Sequence, residues 1–327
     1  MIEVEGLTKR FGATTAVDDV SFRVEDGEVL ALVGTSGCGK STTLRMLNRL
    51  IDPTEGTVRI DGRDIMQVPL EELRLGIGYV IQGVGLFPHW TVARNIATVP
   101  RLMRWDRARI DARVRELLEL FQLDPAEFGD KYPAQLSGGQ QQRVGVARAM
   151  AAEPSVLLMD EPFGALDPVT RAHLQDEFEA IQRRLGTTVI LVTHDMDEAF
   201  KLADRIAVMD TGRILQIGRS ELLLREPQEG FVRQFVGLDD RALRILSLHG
   251  VAEIATPHKV EGWEVLDGAV VDQASGRRIL PLAPSDTLRE AASRIIWEGA
   301  DSLPLVEAGM LVGAVRAEDV WRVGRRA

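Results

Sequence analysis

At 327 residues the chain is long enough for about two domains, because a single hydrophobic core rarely grows past about 250–300 residues. Its 45% apolar and 27% charged content is that of an ordinary globular protein and argues against disorder. A net charge of −10 argues against nucleic acid as a partner, and the single cysteine, Cys38, rules out an internal disulfide and fits a reducing cytoplasm.

The opening Met1–Gly6 lacks the basic and apolar regions of a secretory signal peptide, and no run approaches 18 consecutive apolar residues, so no membrane span is expected. The first informative element is the apolar run Glu28–Val33, which reads as a strand. It leads directly into Gly34-Thr35-Ser36-Gly37-Cys38-Gly39-Lys40-Ser41-Thr42 and then a helix from Ser41 to about Leu50, with Leu44, Leu47 and Leu50 at helical spacing. Strand, glycine-rich loop, Lys-Ser and helix together form a phosphate cradle. The glycines let backbone N–H groups turn toward phosphate oxygens, and the helix start adds partial positive charge. Lys40 is placed to reach the β- and γ-phosphates of a nucleoside triphosphate, and Ser41 to put its hydroxyl on Mg²⁺.

Further along, Tyr79-Val80-Ile81-Gln82 precedes the aromatic stretch Phe87-Pro88-His89-Trp90. Residues 107–123 place Ile110, Val114, Leu117, Leu118 and Phe121 on one helical face, the first long helix of a helical insertion spanning about 90–152. Ser137, Gly138, Gly139 and Gln140 precede a helix from Gln141 to about Ala152; alone they read equally well as a plain loop-to-helix transition or as an anion-binding helix start. The strand Ser155–Met159 ends in Asp160-Glu161. Asp160 suits Mg²⁺ held through its water shell, and Glu161 suits polarisation of an attacking water. A helix over about 170–185 is expected to set Leu174, Phe178, Ile181 and Leu185 against the sheet and to leave Glu177 in solvent. The strand Thr188–Val192 leads to Thr193-His194-Asp195, so three strands end in polar residues where an open α/β sheet binds ligands. A hairpin over 205–218 closes the first domain.

These motifs, with Leu136-Ser137-Gly138-Gly139-Gln140 among them and all in one order, make residues 1 to about 237 resemble the ATPase subunits of ABC transporters. The resemblance implies a P-loop NTPase core of α/β class with an inserted helical subdomain. It assigns Phe11 to stacking on adenine and Gln82 to Mg²⁺ and to the link with a transmembrane partner. It assigns His194 to the γ-phosphate, and the loop Ala165-Leu166-Asp167 to a second subunit. In that family Ser137 and Gly139 of one subunit complete the site on the phosphate loop of the other, so two ATP molecules lie in a dimer whose two sites are both competent.

Spacing narrows the partner. Too few residues separate Lys40 from Asp160 for the coiled coil of repair ATPases, and the chain carries one cassette where translation factors of this superfamily carry two. A transporter subunit with separate permease subunits, peripheral on the cytoplasmic face of the membrane, is the expectation. Its permease contact is expected near Gln82–Trp90. The stretches Ile77–His89 and Thr193–Ala199 are similar to the osmoprotectant branch of importers, which take up glycine betaine, choline or carnitine through an extracytoplasmic solute-binding protein. An importer of another small solute, such as an amino acid or polyamine, is the alternative, with a non-transport ATPase behind it.

Residues 238–327 read as a separate C-terminal region. Residues 238–276 give weak periodicity. Then Thr287 and Glu290 form a capping-box pattern for a helix with Leu288, Ala292, Ile295 and Ile296 on one face, followed by two strands and a last helix. The β-α-β-β-α order over about 277–327 resembles one CBS motif, with Val251–Pro257 as a possible stub of another. Asp319 falls at that family's ribose position, but Arg316 stands where a hydroxyl residue is expected. The terminal Arg322, Arg325 and Arg326 are candidates for anionic lipid.

Overall fold

Three strands whose residues are apolar at nearly every position, Val29–Gly34, Val156–Asp160 and Thr188–Thr193, are buried along their whole length, as happens to parallel strands covered on both faces. The computed structural model describes residues 1–83, 85–228, 230–237, 240–256, 262–266, 268–273 and 275–325. Within it the chain divides into two compact units, Met1–Arg219 and Ser220–Ala327. This division falls ahead of the 237/238 boundary suggested by the sequence. The helices Ser220–Arg225 and Phe231–Val236 are tied to the next helix, Arg241–Ser247. Arg241 donates to the Arg225 carbonyl at 2.7 Å, and Arg244 donates to the Val236 carbonyl. Leu238 lies outside the described residues.

The first unit has a six-stranded sheet in the order Arg213–Gly218, Arg205–Asp210, Val29–Gly34, Thr188–Thr193, Val156–Asp160, Ile77–Val80. All neighbours are parallel except the edge hairpin, whose Thr211 and Gly212 turn at φ 45° and 84°. An antiparallel sheet of four strands, in the order Thr14–Val24, Ile2–Phe11, Glu55–Ile60, Arg63–Asp64, covers one face. Strand alternation splits the central sheet between two cores. Leu30, Leu32, Leu158, Ile190 and Val192 join Ile2, Leu7 and Phe22 of the antiparallel sheet. Leu157, Met159, Val189 and Leu191 face the helices, against Leu117, Phe121, Val144, Leu174 and Phe178.

The helices follow the periodicity with local corrections. Arg107–Leu120 is capped by Asp106 and buries Ile110, Leu117 and Leu118. The helix after the glycine-rich loop runs Lys40–Leu47. Arg49, at φ 46°, ends its course and leaves Leu50 exposed. Pro168–Leu185 starts on the Asp167 cap and stops at left-handed Gly186, which turns Leu185 outward at 39% exposure. Glu177, expected in solvent, lies largely inside, with Arg143 at 2.7 Å; burial pushes its carboxyl pKa up against that partner.

The second unit packs its own core from Leu246, Val251, Ile279, Leu282, Leu303 and Val320. The weakly patterned stretch holds the helix Arg241–Ser247 and a small sheet of Trp263–Leu266, Ala269–Asp272 and Arg278–Ile279. The Leu288–Glu298 helix carries the expected Thr287–Glu290 capping box, but Ala291 takes the core position assigned to Ile296, which is 69% exposed. The hairpin Ser302–Glu307/Met310–Arg316 and the helix Ala317–Arg325 follow. Val251–Glu253 is a single 3₁₀ turn; Pro257 and Arg326 lie outside the described residues.

Candidate active site

The glycine-rich loop needs glycine for two separate reasons. At Gly39 the backbone takes φ 108°, and a Cβ would stand 2.6 Å from the Ala16 carbonyl oxygen. At Gly34, φ is 151° and a Cβ would stand 2.1 Å from the Met209 carbonyl oxygen. The loop is therefore clamped against neighbouring backbone while it bends around an open centre. Lys40 is buried at the start of its helix, with Nζ donating to the carbonyls of Gly34 at 2.8 Å and Thr35 at 2.9 Å. A buried ammonium at a helix start beside a glycine-rich loop is suited to binding phosphate.

Next to the loop, Ser41 Oγ donates to Asp160 Oδ1 at 2.7 Å, and Arg45 lies 3.9 Å from the other Asp160 oxygen. One buried carboxylate and one hydroxyl in contact are the donor set that Mg²⁺ takes when phosphates and waters complete its shell. Gln82 would add an amide oxygen. Its amide nitrogen donates to Glu161 Oε2 at 3.2 Å.

Glu161 holds the centre together. Its backbone is left-handed, φ 48°, an unfavourable conformation for a residue with a Cβ, and its N–H is anchored to the Val192 carbonyl at 2.9 Å. Strain of this kind persists where surrounding structure fixes it, and here it aims the carboxylate at both Gln82 and His194. His194 Nδ1 stands 3.4 Å from the same Oε2, on a side chain 61% exposed. The tertiary fold thus brings Lys40, Ser41, Asp160, Gln82, Glu161 and His194 into one contiguous group drawn from four segments of sequence.

Phe11 is exposed at the end of its strand, with the Lys9 ammonium 5.1 Å from its ring centroid. Ser137 and Gln140 form a reciprocal capping box, Ser137 Oγ accepting from Gln140 N–H at 3.3 Å and Gln140 Oε1 from Ser137 N–H at 2.9 Å. The helix therefore begins at Gly138, three residues earlier than its sequence suggests. Gly139 is fixed by packing, since a Cβ there would stand 2.5 Å from Thr170 Cγ2. No hydrogen bond among the described residues joins Ser137–Gln140 to the Gly34–Thr42 loop within the chain.

Cys38 corrects a sequence expectation. A thiol beside Lys40 at a helix start reads as an activated thiolate, but its side chain points into the core at 4% exposure, and burial pushes the thiol pKa up against the lowering effect of Lys40. Its sulfur accepts from Lys40 Nζ at 3.7 Å. Maleimide labelling of the folded chain is expected to be slow with or without MgATP, at least about tenfold below a free thiol. Fast labelling suppressed by MgATP would place the thiol in the nucleotide site after all.

Three supporting residues escaped the sequence reading. Asn95, fully buried, accepts from Phe87 N–H at 2.8 Å and donates to the carbonyls of Phe87, Trp90 and Thr91, pinning the aromatic loop after Gln82. Arg171 and Glu198 stand behind His194. The Glu198 carboxyl has its pKa raised to about 8, by burial first and then by Asp195. A buried polar residue at helical spacing was the available signal for Asn95 and Glu198, but burial itself is invisible in one sequence.

A family model described as "ABC transporter" matches residues 17–164. The chain is 48% identical over 321 residues to the glycine betaine uptake system ATP-binding protein YehX of Escherichia coli, covering 98% of this chain and 99% of that protein. It is 43% identical over 329 residues to the choline transport ATP-binding protein OpuBA of Bacillus subtilis, covering 100% and 81%. Among solved structures it is similar to the dimeric structure of a post-hydrolysis state of the ATP-binding cassette MJ0796 bound to ADP and Pi. The TM-score is 0.60 at 32% identity, over 67% of this chain and 98% of that one.

Proposed function

This chain belongs to the ATP-binding subunits of ABC transporters, and from that premise we propose that it hydrolyses ATP to power an importer of quaternary-ammonium osmoprotectants such as glycine betaine, choline or carnitine. The observation that carries the solute class is the similarity to the glycine betaine relative, which runs through the C-terminal region as well as the cassette.

The residues divide the work of phosphoryl transfer to water, which needs position and charge neutralisation more than covalent chemistry. Phe11 stacks on the adenine. The amides of Gly34–Thr42 and the Lys40 ammonium bind the phosphates, and Ser41, Asp160 and Gln82 hold Mg²⁺, which when bound neutralises phosphate charge. Glu161 orients the attacking water, and His194 holds the γ-phosphate end. Ser137, Gly138, Gly139 and Gln140 present a helix start, exposed at Ser137 and Gly138, to the phosphate loop of a second copy. This assignment fits a helix start that, among the described residues, makes no hydrogen bond to its own loop, and the MJ0796 relative is a dimer.

Closure of such a dimer on ATP and its opening after hydrolysis would switch the permease subunits, through the different affinities of the two states. A cavity of about 300 Å³, lined by Arg74, Tyr79, Gly85, Phe87 and Arg148 among others, lies directly beyond Gln82 and suits a short permease helix. His89 and Trp90 do not line it. Trp90 instead stacks beneath Arg94, 4.5 Å from its ring centroid. No helix among the described residues is long and apolar enough to cross a membrane. Membrane attachment on the cytoplasmic face is therefore assigned to the permease.

The C-terminal unit, with its single CBS-like order, is assigned to regulation. Asp319 is engaged by Arg316 and Arg322, each at 3.1 Å, which leaves its carboxylate poorly placed for a ribose and Arg322 poorly placed for lipid.

The test is transport. Reconstituted in liposomes with a cognate permease and solute-binding protein, and with MgATP on the side of this chain, the complex is expected to accumulate labelled glycine betaine, choline or carnitine. Accumulation of an amino acid or polyamine instead would keep the ATPase assignment and overturn the solute class.

A further inference from the structure

The contact between His194 and Glu161 is made by an exposed side chain on a turn, so something behind that turn must fix it. The turn is tied down from below by Arg171, on the first turn of the Pro168–Leu185 helix. Arg171 Nη2 donates to the Leu166 carbonyl at 3.0 Å, and Nη1 stands 3.4 Å from Asp195 Oδ2. Asp195 in turn caps the helix Met196–Leu202, accepting from Asp197 N–H at 2.9 Å and Glu198 N–H at 3.2 Å. Gly164 N–H donates back to the Glu161 carbonyl at 3.4 Å. The contacts close a ring that runs from Glu161 through the loop to Leu166, across Arg171 to Asp195 and His194, and back to Glu161.

Beneath the ring lies Glu198, 5% exposed, on the helix that Asp195 caps. Its carboxyl meets the Thr193 hydroxyl and faces Arg171, with Asp195 and Glu161 as the nearby like charges. Asp176 and Lys201, 2.6 Å apart, pair between the same two helices. Glu198 Oε1 and Arg171 Nε are both buried without a hydrogen-bond partner. Two unsatisfied polar atoms of opposite character in one place are costly to keep and call for a reason.

We propose that Arg171 and Glu198 are a positioning pair for the hydrolytic centre: Arg171 couples the loop ending at Asp167 to the turn carrying His194, and Glu198 seats the helix behind that turn. This rests on the reading of Glu161 and His194 as the hydrolytic centre. Among the described residues the pair makes no hydrogen bond to Lys40, Ser41, Gln82 or Asp160, so its effect is expected on turnover and not on binding.

The test uses the full chain with MgATP, measuring kcat and KM across pH 6–9.5. Arg171→Ala is expected to lower kcat about 10- to 100-fold with KM changed less than about threefold, and Arg171→Lys to recover part of the loss. Glu198→Gln is expected to exceed Glu198→Ala at least about fivefold in kcat, and wild type is expected to lose rate above about pH 8 where Glu198→Gln does not. Wild-type kcat in Arg171→Ala overturns the proposal. So does a parallel loss of kcat and nucleotide binding that Arg171→Lys does not relieve, because that marks general loosening. Should Arg171→Ala not fold, Arg171→Lys decides. A several-fold lower kcat at unchanged KM supports the pair, and an unchanged kcat refutes it. Inactivity of Glu161→Gln beside a fully active Arg171→Ala would sink this inference alone, whereas a fully active Glu161→Gln would sink the hydrolytic reading beneath it.

Discussion

Replacing Glu161 by Gln is expected to reduce MgATP turnover by at least about a hundredfold while nucleotide affinity stays within a few-fold of wild type. Gln is isosteric and keeps the contacts to Gln82 and His194 geometrically possible, so the site should remain assembled. What it loses is the negative charge that polarises water. The phosphate contacts assigned to the Gly34–Thr42 loop and Lys40 are left in place. Hydrolysis blocked with binding intact should let ATP accumulate a dimer, visible as a doubled mass by light scattering in MgATP. Lys40→Ala is the contrasting variant, weakening nucleotide binding itself, because it removes the one buried ammonium in the loop. Near wild-type turnover in Glu161→Gln would remove Glu161 from the chemistry.

Glu198→Gln is expected to become more stable relative to wild type as pH rises, by about 4 kcal/mol between pH 5 and pH 8. The unfolded chain gives up this proton near the ordinary glutamate value of 4.5, whereas the folded chain keeps it to about 8. Between those values unfolding releases a proton. Wild-type stability from this group is therefore greatest below the unfolded pKa and falls as pH rises to the folded one, after which the loss is complete. Gln does not titrate and escapes the slope. Urea unfolding of both chains at several pH values measures the difference; parallel curves from pH 5 to pH 8 would mean that Glu198 is ionised in the fold.

The phosphate cradle was fully legible in the sequence, because a backbone loop that must wrap phosphate constrains successive residues, and Gly34 to Thr42 are successive. The three buried strands were equally legible, since a parallel strand covered on both faces must be apolar throughout. The helix faces were legible in part. Leu50 and Leu185 sit on the expected apolar stripes but turn outward, because each lies at or beyond the last residue of its helix, where the chain leaves the core, whereas Ile296 falls beside the buried face of Leu288, Ala291, Ala292 and Ile295. Cys38 failed for a related reason: its neighbour in sequence predicts a reactive thiol, but the loop curls that side chain into the core while its amide stays with the loop.

By itself, then, the sequence determined which ligand chemistry the chain handles, since Gly34–Thr42, Asp160-Glu161 and the Ser137 helix start are local patterns whose spacing follows from backbone geometry. Only the tertiary structure decided how the site is coupled. The meeting of Gln82 and His194 on one oxygen of Glu161, and the ring through Leu166, Arg171 and Asp195, join residues far apart in the chain. Their packing depends on strand order and helix placement, which no local spacing records. Burial made Glu198 a proton carrier at neutral pH for the same reason: the cost of charge comes from surroundings supplied by other segments of the fold.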